Sequence, residues 1–220
     1  MQIFKVEINW YTIVIALVII FSVVGYIEDF NKKEVSILIC IPDKVTKIDS
    51  LKIRKDATSS YIKKINPYLK NDWVDSLSNV ISKTSFQFDD ELFPIVLAIF
   101  HTESDFKDHQ LGTTDDIGLG QLTRWVTLEY NLIRAKDSTL IKRDRSNVED
   151  NIWLTFWYLD FIKGRYGNDN INQMIVYYNG GNKQRMKYVK KHKMVITTSN
   201  YLKKVTRRTK FANKTIKDTM

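Results

Sequence analysis

The sequence predicts a mainly α-helical domain preceded by an N-terminal transmembrane helix, and three observations predict it. Apolar residues recur at helical spacing over most of the chain after residue 60, and glycine pairs and capping residues mark the ends of these segments. Near the N terminus, residues 10–27 contain no charge. With 220 residues and 44% hydrophobic content, the chain can form one sizeable core and an appendage.

Residues 10–27, WYTIVIALVIIFSVVGYI, are long enough to cross a bilayer and have aromatic residues near both ends. A cleaved signal peptide is the alternative, but no small-x-small cleavage site follows before Glu28, which favours an uncleaved anchor. The flanking charges are mixed on both sides and do not fix the orientation of this helix.

Residues 28–60 lack a sustained helical period and contain a β-like run at 35–41, so we predict a spacer there. The single cysteine, Cys40, excludes an intramolecular disulfide, and no histidines lie near it at metal-ligand spacing. The sequence therefore predicts a free thiol, no metal site and no cofactor.

Residues 61–82 have apolar positions at roughly helical spacing and predict a scaffold helix of the domain. Pro67 lacks a backbone N–H and is tolerated best in a first turn, which places the predicted start near Asn66.

A second helix is predicted from about Glu91 to Ser104, with Asp89 or Asp90 as its N-cap. Pro94 falls in its first turn, where the missing N–H costs little. One face of this helix carries residues spaced i, i+4, i+7 and i+11: Leu92, Val96, Ile99 and Glu103.

Glu103 ends this apolar stripe, and a carboxyl group there is expected to lose solvation. Desolvation and the partial negative charge of the helix C terminus both raise the pKa of a carboxyl group, as a proton donor near neutral pH requires. The helix alone leaves two other interpretations open: a glutamate exposed at a frayed end, and a buried glutamate held by hydrogen bonds.

Beyond Glu103 come two acidic residues, Asp115 and Asp116, and the segment GLGQL, whose glycines allow close approach of a ligand. The basic stretch that follows contains four expected core or groove contacts: Trp125, Leu128, Tyr130 and Leu132.

Ser146 to Glu149 fits a capping box and begins an aromatic-rich helix. Four of its aromatic residues are interpreted as packing residues: Trp153, Phe156, Trp157 and Phe161. One more short helix is predicted over residues 170–178, ending at YYNGG, and end positions of this kind commonly face clefts.

Positive charge is concentrated near the C terminus. Residues 183–217 hold thirteen Lys or Arg and no acidic residue, whereas residues 1–182 hold twenty-one basic and twenty-four acidic residues. This segment could attract anionic cell-wall polymers, anionic lipid headgroups or nucleic acid. The alternative is a solvated helical face with a frayed tail, and no aromatic-interleaved recognition motif accompanies the charge.

Five elements occur in a fixed order: Glu103 with Ser104, GLGQL with Gln121 eighteen residues after the Glu, Asn151 with Ile152, YYNGG, and NYLKKV at 200–205. Together they resemble the ordered motifs of soluble lytic transglycosylases, over roughly residues 62–206. Each element alone is a weak signal, but their order and spacing make a specific one. The resemblance implies a lysozyme-like fold of the goose-type lysozyme/lytic transglycosylase kind and cleavage of peptidoglycan glycan strands.

The resemblance also implies roles for individual residues. Glu103 would be the sole general acid and base, and the C6 hydroxyl of N-acetylmuramic acid (MurNAc) would act as the nucleophile, giving a 1,6-anhydro product. Gln121 would bind the glycan, Tyr178 and Asn179 would position the substrate and the Glu, and Ser104 would orient the backbone near the helix end.

Two departures from the family pattern leave the reaction type open. Many members have a serine nine residues after the Glu, where this chain has Gly112; Thr113 or Thr114 is the candidate substitute. Asp115 or Asp116 offers a second carboxylate, with which a lysozyme-type hydrolase would activate water. A non-catalytic module that binds peptidoglycan in envelope assembly is the third hypothesis.

The predicted organisation is a flank (1–9), a transmembrane or signal-anchor helix (10–27), a spacer (28–60), a catalytic domain (61–206) and a basic tail (207–220). A peptidoglycan substrate places the catalytic domain in the periplasm or otherwise outside the cytoplasmic membrane, or in a phage particle. The expected partners are glycan strands and the membrane, with an anionic polymer or a larger envelope or virion assembly at the basic segment.

Overall fold

The computed structural model describes residues 47–107, 115–137, 139–166 and 170–220. These ranges contain one isolated antiparallel bridge, between Ile117 and Leu122, and no β-strand. Their seven helices are α1 (Lys47–Ile65), α2 (Asn71–Ser85), α3 (Leu92–Glu103), α4 (Arg124–Arg134), α5 (Val148–Tyr166), α6 (Ile171–Val189) and α7 (Ile196–Thr219). The prediction of a mainly α-helical domain is confirmed for this part of the chain.

The predicted membrane segment at 10–27, the β-like run at 35–41 and Cys40 all lie outside the described residues. Among the helices that the structure describes, none combines the length and the apolar character needed to span a bilayer.

Helix α3 lies at the centre of the domain. Every residue from Leu92 to Phe100 is buried, and the helix packs against α7, with further contacts to α5. A helix that is apolar on all sides is stable only when it is surrounded by other elements. Burial of α3 therefore fixes the position of its C-terminal residue, Glu103, inside the domain.

Two helices occupy the region where the sequence predicts a spacer and one scaffold helix. Helix α1 begins at Lys47 and packs against α2 and α7, so the expectation of a non-helical spacer up to residue 60 is wrong for its last fourteen positions, 47–60. A turn at residues 66–70 separates α1 from α2, so Pro67 does not begin a helix. The buried surface of α1 comes from few residues, including Ala57 and Tyr61, which explains its weak sequence signal.

The predicted N-cap of α3 is wrong. The N-cap residue is Glu91, and its side chain makes no capping hydrogen bond. The Asp89 carboxylate instead accepts a hydrogen bond from Lys163 of α5 at 2.7 Å, and the Asp90 carboxylate pairs with Arg54 of α1. Both aspartates are engaged by cations from other helices, which local sequence rules cannot anticipate.

Asparagine side chains cap the two following long helices. At α5 the cap is Asn147, whose Oδ1 accepts from the Asp150 N–H at 3.1 Å, and not the predicted Ser146. At α6 the Asn170 side chain accepts from the N–H groups of residues 172 and 173. Helix α6 is interrupted at Gly181, where φ is 61° and ψ is −169°, in agreement with a predicted break at the glycine pair.

Helix α7 continues to Thr219 and includes residues predicted to be a tail. Ala212 and Thr215 are buried on its inner side, and Lys210 and Lys214 are exposed. The last fourteen residues thus belong largely to the packed helix rather than to a frayed end.

Candidate active site

Glu103 is the last residue of α3, and its carboxyl group is largely withdrawn from solvent. The Tyr201 hydroxyl, on α7, donates a hydrogen bond to Glu103 Oε1 at 2.6 Å. Burial raises the pKa of Glu103 from 4.5 to about 7, a change opposed by the Tyr201 hydrogen bond and reinforced by the nearby charge of Asp116. The protonated and ionised forms of Glu103 are therefore present in about equal amounts at neutral pH.

The backbone beyond Glu103 leaves the helix through an unusual conformation that neighbouring helices hold in place. Asp105 and Phe106 both have positive φ, 49° and 61°. Their carbonyl groups accept hydrogen bonds from Asn66 Nδ2 at 3.2 Å and from Trp73 Nε1 at 3.0 Å. These contacts fix the direction in which the chain departs from α3.

Ser104 is buried, and its hydroxyl donates to the Phe100 carbonyl at 3.0 Å. The hydroxyl is therefore bonded within the end of α3. This fits the expected role of Ser104 in orienting the backbone rather than a contact with substrate.

Residues 117–122, here called the GLGQ turn, form a tight loop closed by two backbone hydrogen bonds between Ile117 and Leu122, 3.0 Å and 3.3 Å long. Gly118 has φ of 77° and Gln121 has φ of 46°. A Cβ at Gly118 would lie 2.4 Å from the Asn151 amide nitrogen. Glycine is thus required at this position both by the backbone conformation and by the approach of Asn151.

The Asn151 side chain of α5 forms hydrogen bonds with the backbone of the GLGQ turn. Its Nδ2 donates to the Ile117 carbonyl at 2.9 Å, and its Oδ1 accepts from the Gly120 N–H at 3.0 Å. The side chain is 1% exposed, so both bonds are shielded from water. Asn151 therefore ties the turn to the helical core.

Tyr178 of α6 closes the turn from the other side. Its hydroxyl donates to the Gly120 carbonyl at 2.6 Å. Burial raises the pKa of Tyr178 well above its ordinary value, and the charge of Glu103 raises it further. The hydroxyl therefore stays protonated and lies within electrostatic reach of the candidate acid. Asn179, the next residue, is exposed.

Gln121 donates through Nε2 to the Gly118 carbonyl at 2.9 Å, so part of its amide supports the turn itself. Thr113 and Thr114, the candidate substitutes for the family's serine, lie outside the described residues, as does Gly112. The structure thus brings Glu103, Tyr178 and the GLGQ turn together.

The two aspartates before the turn differ in their surroundings. The Asp115 carboxylate pairs with Arg145 at 2.9 Å and is 67% exposed. Asp116 is less exposed, and its charge raises the pKa of Glu103. Of the two candidate second carboxylates, Asp116 is therefore the one that interacts with Glu103.

Three residues of this arrangement were absent from the predicted site: Tyr201, Asn151 and Thr155. Tyr201 lies 98 residues after Glu103 in sequence, and Thr155 lies beside the Tyr178 hydroxyl. Tyr201 and Asn151 both lie in motifs that carry the family resemblance. The motifs indicated these two residues, but not the side chains and backbone groups that they contact. In the described residues, no group of three or more His, Cys, Asp or Glu side chains is placed to hold a metal ion.

Comparison with known families identifies the domain. Residues 87–216 match the family model described as Transglycosylase SLT domain. This match covers α3 to α7 with the whole of the GLGQ turn, and it begins after α1 and α2. The comparison with curated proteins and the comparison with solved structures gave no match.

Proposed function

The chain belongs to the transglycosylase SLT family and is a peptidoglycan lytic transglycosylase; from this premise we propose that Glu103 is its sole general acid and base. The bond cleaved would be the β-1,4 bond between MurNAc and N-acetylglucosamine (GlcNAc), leaving a 1,6-anhydro-MurNAc end. The observation that carries the proposal is the Glu103 carboxyl group, whose pKa of about 7 suits both roles.

In the first step, protonated Glu103 gives its proton to the glycosidic oxygen. The bond from MurNAc C1 to that oxygen breaks, its electron pair stays with the GlcNAc leaving group, and positive charge develops at C1. In the second step, the oxygen of the MurNAc C6 hydroxyl bonds to C1, and the Glu103 carboxylate takes the proton of that hydroxyl. The enzyme returns to its starting state, and no water molecule is consumed.

The surrounding residues support these two steps. The Tyr201 hydroxyl donates to Glu103 and steadies the carboxylate form that the second step requires. Tyr178 holds the Gly120 carbonyl, and through it the GLGQ turn, next to Glu103. In this proposal Gln121 and Asn179 contact the glycan, and Ser104 supports the helix end.

A hydrolytic reaction is the second candidate function, and the position of Asp116 is the observation that favours it. A carboxylate whose charge reaches Glu103 could activate water for attack at C1, as in lysozyme-type hydrolases. Asp115 is the weaker choice for this role because its carboxylate is paired with Arg145. The products distinguish the two reactions, since hydrolysis gives reducing ends.

We also propose that residues 10–27 anchor the protein in the membrane with residues 61–206 as the catalytic domain outside the cytoplasmic membrane, where peptidoglycan lies. Helix α1 extends that packed unit back to residue 47. On α7, Lys203, Arg207 and Lys210 line a cavity of about 410 Å³, which suits contact with an anionic polymer.

Replacement of Glu103 by Gln tests the proposed role. Glu103→Gln keeps the size of the side chain and an acceptor for Tyr201 but removes the transferable proton. We expect release of muropeptides from purified peptidoglycan to fall by roughly three orders of magnitude or more. Glu149→Gln, at an exposed position in the first turn of α5, is the matched control and should retain activity. Full activity of Glu103→Gln would contradict the mechanism.

A further inference from the structure

Helix α4 presents large apolar side chains to solvent on the side away from the core. Trp125 is 63% exposed and Leu128 is 48% exposed, three residues apart on one face of the helix. Tyr130, by contrast, is 1% exposed and donates its hydroxyl to the Ile141 carbonyl at 2.6 Å. Four residues of this stretch were predicted to contact the core or a groove. Tyr130 belongs to the core, whereas Trp125, Leu128 and Leu132, the last 60% exposed, do not.

Trp125 and Leu128 line a groove of about 490 Å³, within the range of small-ligand sites. Its remaining lining residues are Arg124, Thr127, Asn131 and Arg145. The Arg124 guanidinium lies 5.4 Å from the centre of the Trp125 ring. The groove therefore combines an aromatic face, an aliphatic side chain and cationic donors.

Two polar atoms of the groove are left without hydrogen bonds. Thr127 Oγ1 and Asn131 Oδ1 are shielded from solvent and have no hydrogen-bond partner among the described residues. A shielded polar atom without a partner costs free energy, and a small rotation of the Thr127 or Asn131 side chain would let it pair with a hydroxyl or amide group of a ligand in the groove. These atoms point to a polar ligand rather than a purely apolar one.

Arg145 connects the groove to the active site. It lines the groove and donates to the Leu122 carbonyl at 2.7 Å, and its other nitrogen pairs with the Asp115 carboxylate at 2.9 Å. Leu122 is the last residue of the GLGQ turn, and Asp115 lies two residues before the turn begins. The groove thus adjoins the GLGQ turn through Arg145.

We propose that this groove, centred on Trp125, binds a further amino-sugar unit of the same glycan strand, away from the bond that is cleaved. The apolar face of a sugar ring matches an exposed indole, and its hydroxyl and acetamido groups match Thr127, Asn131 and Arg124. The occupant is a glycan because the family acts on one and because the groove adjoins the catalytic turn. The inference rests on the proposed function only for the identity of this substrate.

The test measures binding separately from cleavage. The full chain carrying Glu103→Gln is mixed with insoluble peptidoglycan, and the protein left in solution gives an apparent Kd. Trp125→Ala in this background should weaken binding about tenfold, since truncation of an aromatic anchor removes most of its contact area. Thr127→Val keeps the shape and removes the hydroxyl, and it should weaken binding about threefold. Tyr68→Ala is the matched control, because Tyr68 is 94% exposed in the α1–α2 turn.

Thermal melting of each variant confirms that the fold is retained. Equal binding by the Trp125→Ala and Tyr68→Ala chains would overturn the proposal. The assay is repeated on glycan strands from which an amidase has removed the peptides. Weaker binding of Trp125→Ala to these strands supports a sugar in the groove, whereas a defect seen only with peptide-bearing material would assign the groove to the peptide and refute the proposal. The two failures are separable, since muropeptide release by Glu103→Gln would count against the mechanism alone.

Discussion

Two carboxyl groups beside the GLGQ turn have opposite surroundings, Glu103 at the end of α3 and Asp115 before the turn. Glu103 is desolvated, accepts one hydrogen bond from Tyr201 and has a pKa of about 7. Asp115 is 67% exposed and is paired with the Arg145 guanidinium. The same functional group is therefore desolvated in one place and paired with a guanidinium at the surface in the other.

The two groups differ chiefly in solvation, because burial raises the pKa of Glu103 despite the opposing charge of Lys204, whereas Asp115 lies open to water. Burial has this effect on Glu103 because the charged form of a carboxyl group loses its hydration in the interior.

Gly120→Ala should disrupt the turn that faces Glu103. A Cβ at this position would lie 2.3 Å from Thr155 Oγ1 and 2.9 Å from the Tyr178 hydroxyl, and Thr155 is fully buried. The turn must shift, and we expect turnover to fall about a hundredfold because small displacements of positioned groups are costly. Gly164→Ala is the control, since a Cβ there meets nothing within 4 Å. Similar rates for the two variants would mean that the turn does not position the reaction.

Glu103→Gln should stabilise the protein at alkaline pH. The folded-state pKa of about 7 exceeds the ordinary 4.5, so the folded state binds the proton more tightly and stability falls as pH rises from 4.5 to 7. Gln removes this loss, and the free energy of unfolding should increase by about 2–3 kcal/mol at a pH of about 8.5 relative to wild type.

Urea unfolding at about pH 4 and about pH 8.5 measures this effect, with Glu149→Gln as the exposed control. The gain should be present only at the higher pH. An equal difference between Glu103→Gln and wild type at both pH values would show that the carboxyl group is not desolvated.

Tyr201→Phe should move the pH profile of the reaction. The acid form of Glu103 is needed first, so kcat/KM should fall as pH rises through about 7. The Tyr201 hydrogen bond lowers the pKa of Glu103, and its loss should move this decline to higher pH and reduce kcat about tenfold. Tyr68→Phe serves as the control. An unchanged pH profile in Tyr201→Phe would show that Tyr201 does not act on the group whose ionisation controls the reaction.

Asp115→Asn should have the smallest effect. Its carboxylate is 67% exposed, and ion pairs open to water contribute little, so we expect a change in turnover below about threefold. The rate of muropeptide release checks this expectation. A loss comparable to that of Glu103→Gln would make Asp115 a second catalytic carboxylate.

Local patterns predicted the central helix and the place of Glu103 at its end, because α3 is a continuous apolar run of residues close in sequence, although it is buried on all sides and not only along the predicted stripe. The caps of α3 could not be predicted in the same way, since Asp89 and Asp90 pair with cations of α5 and α1. The contact of Tyr201 with Glu103 spans 98 positions and depends on how α7 packs against α3. The sequence thus indicated Glu103 as the candidate acid, while its hydrogen-bond partner could be found only in the fold.

Motif order also led to the GLGQ turn, but not to the reason for its glycines. Gly118 and Gly120 are needed because Asn151 and Thr155 of α5 occupy the space where a Cβ would lie. Such exclusion by a helix more than thirty residues away along the chain has no local signal.

The most direct test of a single carboxyl group performing both proton transfers is the product formed in water enriched in oxygen-18. Peptidoglycan is digested with the wild-type chain, and mass spectrometry is used to determine the new MurNAc ends. The single-carboxyl mechanism predicts 1,6-anhydro ends without oxygen-18, because the C6 hydroxyl and not water attacks C1. Reducing ends that carry oxygen-18, and that disappear in Asp116→Asn, would contradict it and assign Asp116 as the base that activates water.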